Sequence, residues 1–220
     1  MKRTAILLGA SGLVGGYCLK ALSESAAWDS VVALNRRDLP LPAGSRVMQK
    51  VVDLRNLTVA DFAGASDVFC ATGTTISKAG SQEEFRRIDY EMPLNAARAA
   101  LAAGAKQFVL VSSVGANAGS KSFYLRTKGE LERDLSKLGF EGLHIMRPGL
   151  LLGHRQEFRP GEHIAARFAP VLALTLWGPL QRYRPIPAET VGRAMAGVAR
   201  ERRSGTHVYE YREIMRLANN

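Results

Sequence analysis

Thr4-Ala5-Ile6-Leu7-Leu8-Gly9-Ala10-Ser11-Gly12-Leu13-Val14-Gly15 is the stretch that decides the fold. A short apolar run passes directly into a G-x-x-G-x-x-G pattern and then into helical periodicity. Strand, tight turn and helix in that order are the setting in which such glycines bind a dinucleotide. Gly9 suits the sharp turn, and Gly12 lets backbone N–H groups approach a pyrophosphate. Gly15 lets the helix pack closely on the sheet, and the helix N-terminus favours the anion. A glycine-rich turn without a ligand carries the same triplet; the strand-to-helix position favours the binding reading.

Outward from this stretch, short apolar runs alternate with helical patterns, as in βαβ units on a parallel sheet. Strands are expected at Thr4–Leu8, Ser30–Leu34, Arg46–Val52, Asp67–Cys70, Gln107–Val111 and Leu143–Arg147. Helical stretches are expected at Leu13–Ser23, Val59–Phe62, Gln82–Ala103 and Phe123–Leu138, with Pro93 starting or kinking a helix and Gly139 stopping one. After Arg147 the alternation fades into loop, a helix around Ile164–Leu176, another around Glu189–Arg202 with Thr190 as N-cap, and a short strand near His207–Tyr211. No composition break divides the chain. The expectation is one α/β domain over 1–220, a doubly wound parallel sheet (Rossmann fold), with 148–220 forming a small cap on the substrate side.

The end of the second strand names the cofactor. An acidic residue about 20 positions beyond the glycines would bind the ribose 2′-hydroxyl of NAD. That count reaches Asn35, followed by Arg36 and Arg37. Two guanidiniums suit a 2′-phosphate, so NADP(H) is expected over NAD(H), although a solvated basic turn would look the same. Asp53 closes the third strand and has two readings: an acceptor for the adenine amino group, or a cap on the following turn. Thr72 and Gly73, within Cys70–Thr75, end the fourth strand with small residues that let backbone pass close to a cofactor, although a short loop would look the same.

Ser112 and Ser113 close the fifth strand, and Tyr124-Leu125-Arg126-Thr127-Lys128 opens the next helix. The four-residue spacing places Tyr124 and Lys128 on one helical face. A free tyrosine titrates near 10, and a cation about 4–6 Å away favours its phenolate. A strand-end serine can polarise a substrate carbonyl. Tyr124 as acid/base, Lys128 as its cationic neighbour and a serine as orienting donor form a set for hydride transfer between a nicotinamide and a small carbonyl or alcohol.

These residues resemble the short-chain dehydrogenase/reductase superfamily. Cys70–Thr75, Lys78-Ala79-Gly80, Tyr124–Glu130, Arg147-Pro148-Gly149, Arg155-Gln156-Glu157 and Arg159-Pro160-Gly161-Glu162 resemble a narrower, atypical branch, the one containing the HIV Tat-interactive oxidoreductase. The resemblance runs over nearly the whole chain. It implies an NADP-binding Rossmann domain with Ser, Tyr and Lys in the roles argued above. It further implies Ser11, Gly12, Leu13 and Val14 on the pyrophosphate side and Arg36 and Arg37 at the 2′-phosphate. Thr72 and Gly73 would lie along the adenosine path, and Leu151 and Arg159 near the nicotinamide end. Of the two serines Ser113, the last before the loop, is chosen over Ser112.

Composition closes off other classes. The 220 residues are 46% hydrophobic, which excludes disorder, and two cysteines exclude a disulfide framework or a four-thiolate zinc site. Cys70 reads as a core thiol rather than a redox switch. His144, His154, His163 and His207 lack partners at ligand spacing, so no metal is expected. No run approaches the roughly 18 apolar residues of a spanning helix. Met1-Lys2-Arg3 and the apolar run after it imitate a signal peptide, but glycines cut that run short, and a cytoplasmic protein is the expectation. The net charge of +10 splits unevenly: residues 147–220 hold 12 arginines against 6 acidic groups, whereas 1–146 hold 18 basic and 14 acidic. With no helix-turn-helix, zinc or aromatic-basic motif, this reads as an anionic-cofactor signature and no nucleic acid is expected. A small-molecule substrate is the expected partner, with room for a protein partner. An NADP(H)-sensing regulator with little turnover, and an epimerase or isomerase using the same site, are the competing functions.

Overall fold

The computed structural model describes residues 2–41, 45–153 and 176–219. Seven strands form one fully parallel sheet: β1 (Thr4–Leu8), β2 (Ser30–Asn35), β3 (Val47–Val51), β4 (Asp67–Cys70), β5 (Gln107–Val111), β6 (Gly142–Met146) and β9 (Gly205–Tyr209). Their order is β3-β2-β1-β4-β5-β6-β9. The direction of travel across the sheet reverses between β1 and β4, and that switch opens a crevice at the carboxyl ends of the strands. Two further two-residue strands, β7 (Leu151–Leu152) and β8 (Ile186–Pro187), pair with each other beside the main sheet.

Period-two alternation sorts each strand between two cores. Ala5, Leu7, Val31, Ala33, Phe69 and Val109 point to one face, where they meet α1 (Leu13–Glu24), α6 (Ala188–Glu201) and α7 (Tyr211–Leu217). Ile6, Leu8, Leu34, Val68, Phe108 and Leu110 point to the other, where α4 (Met92–Ala102) and α5 (Phe123–Leu135) cover them. Helices on both faces of a parallel sheet make the fold doubly wound, as the alternation of the sequence implies. At the amino ends of the strands, Asp67 is fully buried and paired with Arg3 at 2.7 Å, and it also accepts the indole N–H of Trp28 at 3.0 Å.

Several expectations change in detail. Part of the expected 148–220 cap lies elsewhere: β9 is the seventh strand of the main sheet, and α6 packs on α1 rather than over the strand ends. Gly192 makes that packing possible, because a Cβ there would lie 2.6 Å from the Cys18 backbone nitrogen. Thr190 is not an N-cap; Pro187 holds that place and Thr190 lies inside the first turn of α6. Val59–Phe62 is a single 3₁₀ turn. The Gln82–Ala103 stretch is α3 (Gln82–Arg86), a π-turn at Arg87–Glu91, and α4. Pro93 has no N–H to donate to the carbonyl of residue 89, which explains the change of pitch there. A one-turn helix α2 (Ile76–Ala79) precedes them. The helix expected around Ile164–Leu176 lies outside the described residues except for Leu176, as do Arg159, His154 and His163.

Candidate functional site

The glycine loop is compressed between the end of β4 and the start of α1. Gly9 has φ +87°, and a Cβ on it would lie 2.7 Å from the carbonyl carbon of Ala71. A Cβ on Gly15 would fall 1.9 Å from the carbonyl oxygen of Gly9, so the helix comes as close to the turn as backbone allows. Gly12 is the N-cap of α1, with no capping side chain and no acidic residue in the first turn. The first-turn N–H groups of Leu13, Val14 and Gly15 have no intrahelical acceptors by helix geometry, which makes this end anion-receptive. Ser11 is exposed in the loop, and Leu13 lies under Gly153, where a Cβ would sit 3.0 Å from a Leu13 methyl. Leu151, on β7, packs into the same core as Leu13.

Gly9 and Ser11 line a small cavity together with Leu34, Asn35, Arg36, Arg37 and Leu54. The glycine loop and the arginine pair, distant in sequence, thus meet at one end of the crevice. Arg36 and Arg37 are exposed, whereas Asn35 is only 4% exposed and its Nδ2 has no hydrogen-bond partner. Asp53 sits apart. Its carboxylate accepts from the backbone N–H of Arg55 at 3.0 Å and from Asn56 at 2.6 Å, and these bonds hold it below the ordinary carboxylate range. Of its two readings, the turn cap is the one its hydrogen bonds describe. The neighbouring Leu54, which sequence reasoning passed over, lines the cavity instead.

On the β4 side of the glycine loop, Thr72 and Gly73 follow the strand, and the Thr72 hydroxyl contacts the Cys70 thiol at 3.1 Å. Burial pushes the Cys70 thiol up, in keeping with a core cysteine. Tyr124 is half-buried on the first turn of α5, with its ring 5.5 Å from that of Phe85. One turn later Lys128 is buried, and its Nζ lies 2.6 Å from Asp89 Oδ1. Burial works against the charged lysine, but the Asp89 carboxylate and then Tyr124 outweigh it, leaving Lys128 above its ordinary pKa. Gly129 beside it lets α5 press on the preceding loop: a Cβ there would lie 2.2 Å from the Asn117 carbonyl carbon. Ser112 is buried and donates to Glu132, which Arg147 also binds; Ser113 is half-buried and its hydroxyl makes only a 3.3 Å contact to the Val114 carbonyl. Sequence reasoning did not name Asp89, and it read Asn35 only as a missing acid rather than as a buried amide. The one advance signal for Asp89 was the proline four residues after it.

Comparison with known proteins bears on the family and the fold. The HIM1 family matches residues 21–173. The chain is 38% identical over 229 residues to Protein FMP52, mitochondrial, of Candida albicans, covering 99% of each chain. It is 40% identical over 170 residues to Protein HTATIP2 of Rattus norvegicus, covering 76% of this chain and 70% of that one. Among solved structures, a putative NAD-dependent epimerase/dehydratase from Bacillus halodurans covers 99% of both chains with a TM-score of 0.69 at 20% identity, a likeness of fold. The mitochondrial naming of the Candida protein, shared by further yeast relatives, overturns the expectation of a cytoplasmic protein: a default taken from missing motifs carries less weight than close relatives. With the Rossmann sheet, the glycine loop and a family match over more than two thirds of its length, the chain belongs to the HIM1 family, in the branch that includes rat HTATIP2.

Proposed function

We propose that this protein is an NADP(H)-dependent oxidoreductase of short-chain dehydrogenase/reductase type, acting on a small carbonyl or alcohol. The observation that carries the reading is the buried Lys128 one turn after the half-buried Tyr124, with Lys128 Nζ beside Gly73. The residues present fit a dinucleotide: α1 begins at Gly12 with no capping side chain and no acidic residue in its first turn, and the Asn35 amide, its Nδ2 unpartnered, stands with Arg36 and Arg37 at one cavity. When bound, the nicotinamide supplies or accepts the hydride.

The chain's own residues do the rest. The α1 N-terminus and the glycine loop hold the pyrophosphate, with Ser11 to Val14 on that side. Arg36 and Arg37 recognise the 2′-phosphate as charge-assisted donors. Ser113 orients the substrate oxygen, and Tyr124 gives it a proton in reduction or takes one in oxidation. Leu151 stands at the nicotinamide end in this reading, a place the family resemblance also gives to Arg159, which lies outside the described residues.

A screen of carbonyl compounds, followed by loss of reduced-nicotinamide absorbance, tests the proposal. NADPH should be oxidised with at least one class of carbonyl. Tyr124→Phe should keep cofactor binding and lose turnover by roughly 10²–10⁴-fold. Tight NADPH binding without turnover across the library would favour the sensor, and undiminished turnover in Tyr124→Phe would remove Tyr124 from the reaction.

A further inference from the structure

The helical run between β4 and β5 changes pitch at Arg87–Glu91, and Asp89 lies at the middle of that π-turn. Three side chains around the turn reach across to α5. Arg86 pairs with Glu130, Tyr90 donates to Asp134 at 2.9 Å, and Asp89 pairs with Lys128 at 2.6 Å. The outer two ties are partly exposed; the middle one is buried, with the Asp89 side chain at 0% exposure and that of Lys128 at 6%. The second Asp89 oxygen accepts the backbone N–H of Thr74 at 2.8 Å. Gly73 leaves space for the pair, since a Cβ there would lie 3.2 Å from Asp89 Oδ1 and 3.6 Å from Lys128 Nζ. The carboxylate is therefore clamped on two sides and reaches its lysine directly.

We propose that Asp89 is a positioning residue of this site: it holds Lys128 and offsets its charge, so that Tyr124 faces a neutral ion pair instead of a bare ammonium. The inference rests on the reading of Tyr124 and Lys128 as the acid/base pair. A bare ammonium favours phenolate, the form that takes a proton from an alcohol. A neutral pair favours the phenol, which gives a proton to a carbonyl oxygen. Asp89 thus biases the site towards carbonyl reduction. Among the described residues, the ionisable groups that act on Lys128 are Asp89 from the π-turn, Tyr124 from its own helix and Cys70 from the end of β4. Burial keeps the Cys70 thiol neutral, so Asp89 supplies the negative charge in that group.

The test is an ultraviolet titration of phenolate absorbance on the full chain without added dinucleotide, comparing the parent with Asp89→Asn. One tyrosine equivalent should ionise roughly one pH unit or more earlier in Asp89→Asn, the effect of removing one charge at short range. That difference should vanish when Tyr124→Phe is added. A folded Asp89→Asn protein with the parental titration would overturn the proposal, whatever its turnover. Should Asp89→Asn not fold, Asp89→Ser removes the same charge in a smaller side chain and is read by the same criterion. A shifted titration in a protein whose parent turns over no carbonyl would leave the role of Asp89 standing and overturn the oxidoreductase reading instead.

Discussion

Ser112 donates its hydroxyl to the Glu132 carboxylate, and that bond separates two serines that are neighbours in sequence. Glu132 lies on α5, the helix of Tyr124 and Lys128, and Arg147 at the end of β6 binds the same carboxylate. The network fastens α5 to the ends of β5 and β6 and occupies Ser112 in doing so. Ser113→Ala should leave thermal stability within about 0.5 kcal/mol of the parent and lower turnover by roughly 10²-fold. Ser112→Ala should do the reverse, costing about 1–2 kcal/mol while sparing most activity. Thermal melts and initial rates on both variants check the assignment, and equal activity losses would defeat it.

The arginine pair sets the second expectation. NADPH should bind at least about tenfold more tightly than NADH, a difference of about 1.4 kcal/mol, and Arg36→Ala with Arg37→Ala should erase the preference. Asn35 adds a contrast. An unpartnered buried amide costs about 1–3 kcal/mol, so Asn35→Leu should raise the melting temperature of the ligand-free protein. The same change should weaken dinucleotide binding, because the residue lines the cavity beside the arginines. Calorimetric titrations with both dinucleotides provide the measurement, and equal affinities in the parent would sink the cofactor assignment.

Gly15 and Gly16 are adjacent, yet their substitutions should have opposite effects. A Cβ on Gly15 meets the Gly9 carbonyl oxygen at 1.9 Å, and only movement of α1 or of the turn relieves it. Gly15→Ala should cost roughly 1–3 kcal/mol and abolish cofactor binding, since the helix N-terminus moves with the strain. On Gly16 the nearest atom to a Cβ is the Ala10 carbonyl oxygen at 3.6 Å, an ordinary contact on an exposed helical position. Gly16→Ala should therefore be neutral or stabilising by up to about 1 kcal/mol through helix propensity. Melting curves and dinucleotide binding on the two variants separate the cases.

What the sequence conveys in advance follows the range of the forces involved. Gly9 and Gly15 were legible because the strand-turn-helix pattern is local: Gly9 takes a positive φ and Gly15 lies against the Gly9 carbonyl. Tyr124 and Lys128 were legible because helical spacing alone places them on one face. Asp89 was not, because its partner lies on another helix and the π-turn that presents it depends on where the chain packs. Asn35 was counted only as the absence of an acid; its buried amide emerges once β2 lies between β1 and β3. The position of α6 shows the same limit, since its amphipathic periodicity gives a buried stripe without saying which surface covers it. Gly192 against Cys18 supplies that answer only in three dimensions.

His144 gives the fold a pH dependence of known sign. Its ring is fully buried on β6, with Nε2 2.9 Å from Gln107 Oε1 and Nδ1 3.1 Å from the Tyr209 hydroxyl. One donor and one acceptor suit a neutral imidazole, with Nε2–H donating to the amide and Nδ1 accepting from the phenol. Burial above all, with the stacked His207 and the nearby Arg203 adding to it, pushes His144 from an ordinary 6.5 down to about 4. Between those values the unfolded chain binds a proton that the folded chain refuses. Stability should thus be fully present above about pH 6.5 and fall as the pH drops towards 4, by about 1.4 kcal/mol per unit in the steep part. Asp53, Asp61 and Asp134 are held below the ordinary carboxylate range, so their contributions are lost only at still lower pH and leave this window to the histidine. His144→Gln keeps a polar group in the pocket and removes the titration. Urea unfolding at several pH values should show the slope between pH 4 and 6.5 in the parent and its flattening in the variant. An unchanged slope would assign the effect to another group.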